Sequence, residues 1–205
     1  MPSLPMAALH DPAAIAAALR EHGVCGLITF PDPAAGIALG DELRGLQSTG
    51  ALKPASIGRS GDQHLRADIR GDATLWLDDA RCGDAAAGYL ATLETLRVQL
   101  NRQLFLGAEE VEAHYACYPP GASYRRHRDR FRDSDARILS LVSYLNEDWR
   151  PEHGGALRLH SPQGSIDVAP CAGTSVCFLS ELEHEVLPAT RERLSIAAWL
   201  RRRAA

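Results

Sequence analysis

Between Tyr118 and Asp129 the chain reads Tyr-Pro-Pro-Gly-Ala-Ser-Tyr-Arg-Arg-His-Arg-Asp. Extended backbone sends successive side chains to opposite faces. His127 and Asp129 therefore leave a strand on the same side, with Arg128 turned away. An imidazole and a carboxylate aimed at one point supply two ligands of the 2-His-1-carboxylate triad, which holds ferrous iron on one face and leaves the opposite face open. A third ligand is offered by His184, in Leu-Glu-His-Glu-Val-Leu-Pro, just past the apolar run Thr174 to Leu179. Nine residues later Arg193 opens Arg-Leu-Ser-Ile-Ala-Ala-Trp, whose alternation reads as a strand. A guanidinium there can grip a carboxylate through two parallel hydrogen bonds. Lys53 is the sole lysine of the chain, so a cationic anchor has to be an arginine.

These side chains need a frame. Asp11-Pro12 ahead of an alanine-rich run predicts a helix that starts on a capping aspartate with proline in its first turn and ends at Gly23. Val24 to Phe30 reads as a buried strand, and Pro31-Asp32-Pro33 restarts the chain into a second helix running to about Gln47. Ser48 to Gln63, rich in Gly, Ser and Pro, predicts an irregular loop with at most short strands. Leu90, Leu93, Leu96, Leu100 and Leu104 recur at helical spacing, which predicts a long amphipathic helix over 85–104. Short strands follow at 111–118, 137–145, 156–159, 165–168, 174–179 and 193–200. Helices first and many short strands afterwards give an α+β fold whose second half is a jelly-roll-like pair of sheets.

Composition narrows the class. A chain of 205 residues, with no repeat or linker to split it, reads as a single domain spanning 1–205. The 45% hydrophobic and 23% charged fractions are those of a soluble globular protein. A net charge of -4 gives no general attraction to nucleic acid or to an anionic membrane. No apolar run spans a bilayer, and Met1 to His10 lack the pattern of a signal peptide. Five cysteines without a Cys-x-x-Cys pair point to reduced thiols and a cytoplasmic protein.

The order of these features resembles the prolyl-hydroxylase branch of the Fe(II)/2-oxoglutarate oxygenases. The likeness runs over about residues 10–200 and goes beyond the triad. Asp68-Ile69-Arg70-Gly71-Asp72 followed by Trp76, Cys117-Tyr118-Pro119, Tyr124, Tyr144-Leu145-Asn146 with Asp148-Trp149, Gly154-Gly155-x-Leu157-Arg158 and His184-Glu185-Val186 all match. The resemblance implies a double-stranded β-helix core over about 109–200, with packing helices and a substrate-side loop over about 10–108. It implies that His127, Asp129 and His184 bind Fe(II), that Arg193 pairs with the distal carboxylate of 2-oxoglutarate, and that Tyr144 and Tyr118 line the cosubstrate pocket. It places Arg70 on a substrate-contacting loop and pairs Asp72 with Arg137 in a salt bridge tying that loop to the core.

The implied activity is hydroxylation of a prolyl residue in a cytosolic protein, with release of succinate and CO2 and with ascorbate as reductant. A component of the translation machinery is one candidate partner. Two alternatives stand beside this reading: a small-molecule 2-oxoglutarate oxygenase, and a metal- and cosubstrate-binding sensor without turnover. Nucleic-acid demethylases of this fold carry a second arginine six residues after the anchor, where this chain has Trp199. Ala197 replaces a threonine of the oxygen-sensing members, which removes a hydroxyl near the metal. Arg130, Arg132 and Arg137, interleaved with Asp133 and Asp135, form either a self-paired solvated loop or a basic rim that selects acidic substrate.

Overall fold

The structure, a computed structural model, describes residues 3–55, 66, 68–130, 136–161 and 164–203. Strand β1 (Met6–Ala8) precedes helix α1 (Pro12–His22), strand β2 (Val24–Ile28) and helix α2 (Pro33–Ser48). Both helices start as their sequences predict. Asp11 accepts from Ala14 N and Asp32 accepts from Ala34 N and Ala35 N, with proline in each first turn. Gly23 closes α1 in the left-handed region at φ +71°, where a side chain would strain the backbone. Short strands β3 (Lys53–Pro54) and β4 (Ala73–Trp76) lead to helix α3 (Asp84–Leu104).

The second half is strands: β5 (Glu110–Tyr118), β6 (Tyr124–His127), β7 (Arg137–Tyr144), β8 (Leu157–Ser161), β9 (Gly164–Val168), β10 (Thr174–Leu179), β11 (Glu183–Val186) and β12 (Arg193–Arg201). They form an eight-stranded sheet ordered β1-β2-β10-β7-β12-β5-β4-β3 and a four-stranded sheet ordered β6-β11-β8-β9. This is the expected α+β double-stranded β-helix. The major sheet is wider than the expected pair of sheets because β1 and β2 extend one edge and β3 and β4 the other. The strands not assigned from sequence, β1, β4 and β11, are too short to show a period, and β11 alternates acids with His184 and Val186 instead of showing an apolar face. Much of the expected irregular loop, like Arg132, Asp133 and Asp135, lies outside the described residues.

The period of two sorts the major sheet into two faces. Ala113, Tyr115 and Cys117 of β5, Leu139 and Leu141 of β7, and Leu194, Ile196, Ala198 and Leu200 of β12 join the core formed with the three helices. α3 contributes Ala86, Tyr89, Leu93, Leu96 and Leu100, close to the predicted stripe. The alternate residues turn inward toward the minor sheet, where Tyr118, Tyr144, Leu157, Leu159, Phe178 and Val186 form a second, smaller core. That inner face is where the chemistry-bearing side chains collect.

Candidate active site

His127 and His184 are direct partners across the antiparallel β6–β11 pair, so register alone brings their rings together, with centroids 4.2 Å apart. Each ring is oriented in the same way. His127 Nδ1 donates to the Arg125 carbonyl at 2.7 Å, and His184 Nδ1 to the Leu182 carbonyl at 2.9 Å. Both Nε2 atoms are thereby left with free lone pairs directed at a common point. Tyr124 stacks on His127 with ring centroids 3.6 Å apart, and Phe178 packs edge-on to His184 at 4.8 Å.

Asp129 does not sit on the strand that the alternation argument assumed. β6 ends at His127 and Asp129 lies in the bend just beyond it. Its carboxylate still arrives, with Oδ1 3.7 Å from His127 Nε2 and Oδ2 3.5 Å from His184 Nε2. One ligand atom from each of the three residues lies within 4.8 Å of the others, a spacing that can hold a metal ion. Burial works to raise the Asp129 pKa, but the two imidazoles and Arg137 outweigh it and hold the carboxyl well below its usual range. Burial lowers the His184 pKa against the pull of Asp129. An ionised carboxylate is the form a divalent cation requires of this ligand.

Arg193 starts β12, opposite Tyr118 in register, and is 1% exposed. Its Nε donates to the Gly155 carbonyl at 3.0 Å and its Nη1 to Ser195 Oγ at 2.9 Å. The guanidinium lies 5.1 Å from the Tyr118 ring centroid and 5.3 Å from that of Tyr144. Gly155, which accepts the Nε bond, sits where no side chain fits. It has φ +71°, and a Cβ there would come within 2.9 Å of Ala189 Cβ and 3.0 Å of Trp149 Cζ2. Asn146 secures the strand start by donating to the Leu194 carbonyl at 2.9 Å and accepting from Leu194 N at 2.6 Å.

Arg193 Nη2 and the Tyr144 hydroxyl are both buried and neither makes a hydrogen bond of normal geometry, although the guanidinium lies close enough to Tyr144 to oppose the upward effect of burial on its pKa. Two unpartnered buried donors side by side, one of them on a residue lining the same cavity as the triad, fit a carboxylate that this site would hold.

A cavity of about 760 Å³ joins these groups. His127, Asp129, His184, Arg193 and Tyr118 line it, and Tyr144 lies beside the Arg193 guanidinium at its edge. The inward residues of β12 follow one another along its wall: Arg193, Ser195, Ala197 and Trp199. The cavity extends over Trp76, Lys53 and Arg81 on the β3–β4 side.

The substrate-side loop is anchored differently from the expectation. Asp72, 3% exposed, pairs with Arg70 at 2.7 Å, while Arg137 pairs with Glu112 at 2.7 Å and stacks 3.6 Å over the Trp199 ring. Asp72 and Arg137 therefore do not pair with each other. The nearer guanidinium, two residues away along the same loop, takes the carboxylate. The tie to the core comes instead from Arg70 Nη2, 3.3 Å from His114 Nε2, and from backbone bonds of Gly71 N to Ser123 O and Arg125 N to Ile69 O. His114 is buried and neutral, its pKa pushed down to about 4 by burial and by Arg70. Of the basic residues after His127, Arg128 faces Glu183 and Arg130 faces Glu181.

Residues 113–201 match the family model of the 2OG-Fe(II) oxygenase superfamily. The crystal structure of a Pseudomonas putida prolyl-4-hydroxylase superposes with a TM-score of 0.85 at 46% identity, covering 94% of this chain and 100% of that one. The chain belongs to the 2OG-Fe(II) oxygenase superfamily. A prolyl hydroxylase from Trichoplax adhaerens, solved in complex with a hypoxia inducible factor oxygen degradation domain peptide fragment, matches with a TM-score of 0.81 at 26% identity, over 93% of this chain and 89% of that one. Human Egl nine homolog 1 is 31% identical over 193 residues, which are 88% of this chain and 44% of that protein, so the chain spans under half the length of that relative. Members of the superfamily are oxidoreductases that use Fe(II) and 2-oxoglutarate, and the triad and the paired unsatisfied donors are a donor set of the right chemistry for both. Among the described residues, no helix is long and apolar enough to cross a membrane.

Sequence reasoning missed Ser140, Ser180, Ser195 and His114. A signal for the first and third existed, since Ser140 and Ser195 stand at even spacing from Tyr144 and Arg193 in otherwise apolar strands and so share their inward face.

Proposed function

We propose that the protein hydroxylates a prolyl residue of a polypeptide, consuming O2 and 2-oxoglutarate and releasing succinate and CO2. The observation that carries this reading is the buried Arg193, with one unpartnered nitrogen, lining the same cavity as the triad, a cavity larger than its cosubstrate needs. A volume of about 760 Å³ is near the upper end of the roughly 300–1,000 Å³ typical of small-molecule sites, and a small diacid fills only part of it. The remainder, walled by Tyr124, Trp199 and Trp76, suits a segment of chain presenting a proline ring. The relatives support the same substrate class, since one was solved with a peptide bound.

In this reading His127, Asp129 and His184 hold Fe(II), which when bound supplies the activation of dioxygen. Everything else falls to the chain. Arg193 and Tyr144 hold the distal carboxylate and orient the cosubstrate, Tyr118 packs along it, and the inner core keeps bulk water away. Arg70, held by Asp72 and His114, and Arg137, held by Glu112, form the rim that meets substrate. Ala197 leaves more room beside the metal than a threonine would. The same reading treats residues 1–205 as one folded unit, with the catalytic core over about 109–200, acting in the cytoplasm; its five free cysteines accord with a reducing compartment.

The test is a lysate from cells lacking the gene, incubated with purified protein, Fe(II), 2-oxoglutarate and ascorbate, with Asp129→Ala as control. Peptide mass spectrometry is expected to find one added oxygen on a proline, with translation-factor and ribosomal peptides examined first. Absence of any site, with succinate formed only when metabolite extract is added, would replace this reading with a small-molecule oxygenase.

A further inference from the structure

Asp129 poses a positioning problem that the histidines do not. His127 and His184 are locked by the β6–β11 ladder and by backbone acceptors on their Nδ1 atoms. Asp129 lies past the end of β6, so no ladder holds it. Its restraint comes from the other sheet. Ser140 of β7 donates from Oγ to Asp129 Oδ2 at 2.7 Å. Because that proton is committed to the carboxylate, the 2.9 Å contact between Ser140 Oγ and Ser180 Oγ has Ser180 as donor. Ser180 also accepts from Arg130 N at 3.0 Å through its carbonyl, and its own N donates to the Ile138 carbonyl at 3.0 Å. Ser140 is 1% exposed and Ser180 0%.

We propose that Ser140, backed by Ser180, is the positioning residue that presents Asp129 to the metal. This rests on the triad reading above and adds the device that makes its third ligand effective. The Ser140 hydroxyl takes one acceptor site of Oδ2 and so fixes the carboxylate rotamer, leaving its remaining lone pairs toward the two imidazoles. The chain of donors, Ser180 to Ser140 to Asp129, runs from the major sheet to a residue just past the edge strand of the minor one. Hydroxyls suit this role because they hold the carboxylate in its ionised form without adding a charge that would compete with the cation.

The experiment is a Co(II) titration of the purified protein, followed by the ligand-field absorbance of the bound ion and independent of turnover. Ser140→Ala is expected to weaken Co(II) binding by about 10- to 100-fold, the range for losing an outer partner of a metal ligand, and to change the band shape. Ser140→Thr, which keeps the hydroxyl, is expected to restore both. Affinity and spectrum unchanged in Ser140→Ala would overturn the proposal. If Ser140→Ala does not fold, Ser180→Ala decides: it retains the bond to Asp129 but releases its support, and weaker binding supports the proposal while wild-type binding overturns it. Asp129→Ala separates the two levels. Undiminished Co(II) binding by that variant would remove the triad reading itself, whereas loss of binding there with none in Ser140→Ala would remove only the role of Ser140.

Discussion

The two faces of the major sheet are built on opposite terms. Toward the helices, polar groups are few and saturated: Tyr89 and Ser143 share a 2.7 Å hydrogen bond, Ser143 contacts Ser175 at 2.5 Å, and Ser175 donates to the Phe30 carbonyl at 2.7 Å. Toward the minor sheet, Tyr144 Oη, Arg193 Nη2 and Trp199 Nε1 are buried without hydrogen-bond partners. Each such group costs about 1–3 kcal/mol in a finished interior. The same strands thus carry a face optimised for folding and a face left incomplete until something binds. Stability and function are separated by a single step along the chain.

That separation can be attacked from either side. On the helix face, Leu96→Ala removes a buried side chain and is expected to destabilise the fold by about 2–5 kcal/mol, measured by urea unfolding, with the 2-oxoglutarate KM unchanged. On the inner face, Arg193→Ala should do the reverse. Cosubstrate affinity is expected to fall by about 2–5 kcal/mol, as when one partner of a buried charged pair is truncated, and isothermal titration of 2-oxoglutarate would record it. Unaltered affinity would place the anchor elsewhere.

His114 tests the boundary between loop and sheet. Its pKa is pushed down to about 4, below the 6.5 of the unfolded chain. Between those values the unfolded chain takes up a proton that the folded protein refuses, so stability falls as pH drops through the window. The contribution amounts to about 3 kcal/mol by pH 4, and His114→Gln is expected to remove that part of the acid sensitivity. Equal slopes of stability against pH for the two proteins would show that the ring is not held neutral. The smallest effect is expected of Tyr144→Phe. Deleting an unpartnered hydroxyl should leave the melting transition level or raise stability by up to about 1 kcal/mol, while 2-oxoglutarate binds several-fold more weakly. A clear loss of stability instead would mean the hydroxyl is already satisfied in the free protein.

Legibility in the sequence follows the same division. Helix ends were written in local chemistry, Asp-Pro starts and Gly23, and appeared where expected. β5, β7 and β10 were visible as short runs rich in apolar residues and β12 through its alternation, because these strands are buried. β11 was not, since Glu183, His184 and Glu185 hide its single apolar pair. That His184 joins His127 is read from the order of the segments; their facing register across β6 and β11 is not. Asp129 joins them for a reason other than alternation, because it lies off the strand and is held from β7 by Ser140. Long-range partners of that kind leave no spacing to read. The Asp72–Arg137 pairing failed for a related reason: Arg70 is nearer in the chain, and proximity along the loop decided the contest for one carboxylate.

The facing histidines carry one more consequence. β6 has four residues; it pairs with β11 along one edge, and its other edge is tied to the 69–71 segment by the Arg70–Tyr124 bridge and the flanking backbone bonds. His127 is flanked by Arg126 and Arg128. A slip of one residue in either direction would bring a guanidinium opposite His184, where it would repel the very ion the site collects. The register found is thus the one in which a cation between these strands would meet two imidazoles and no guanidinium.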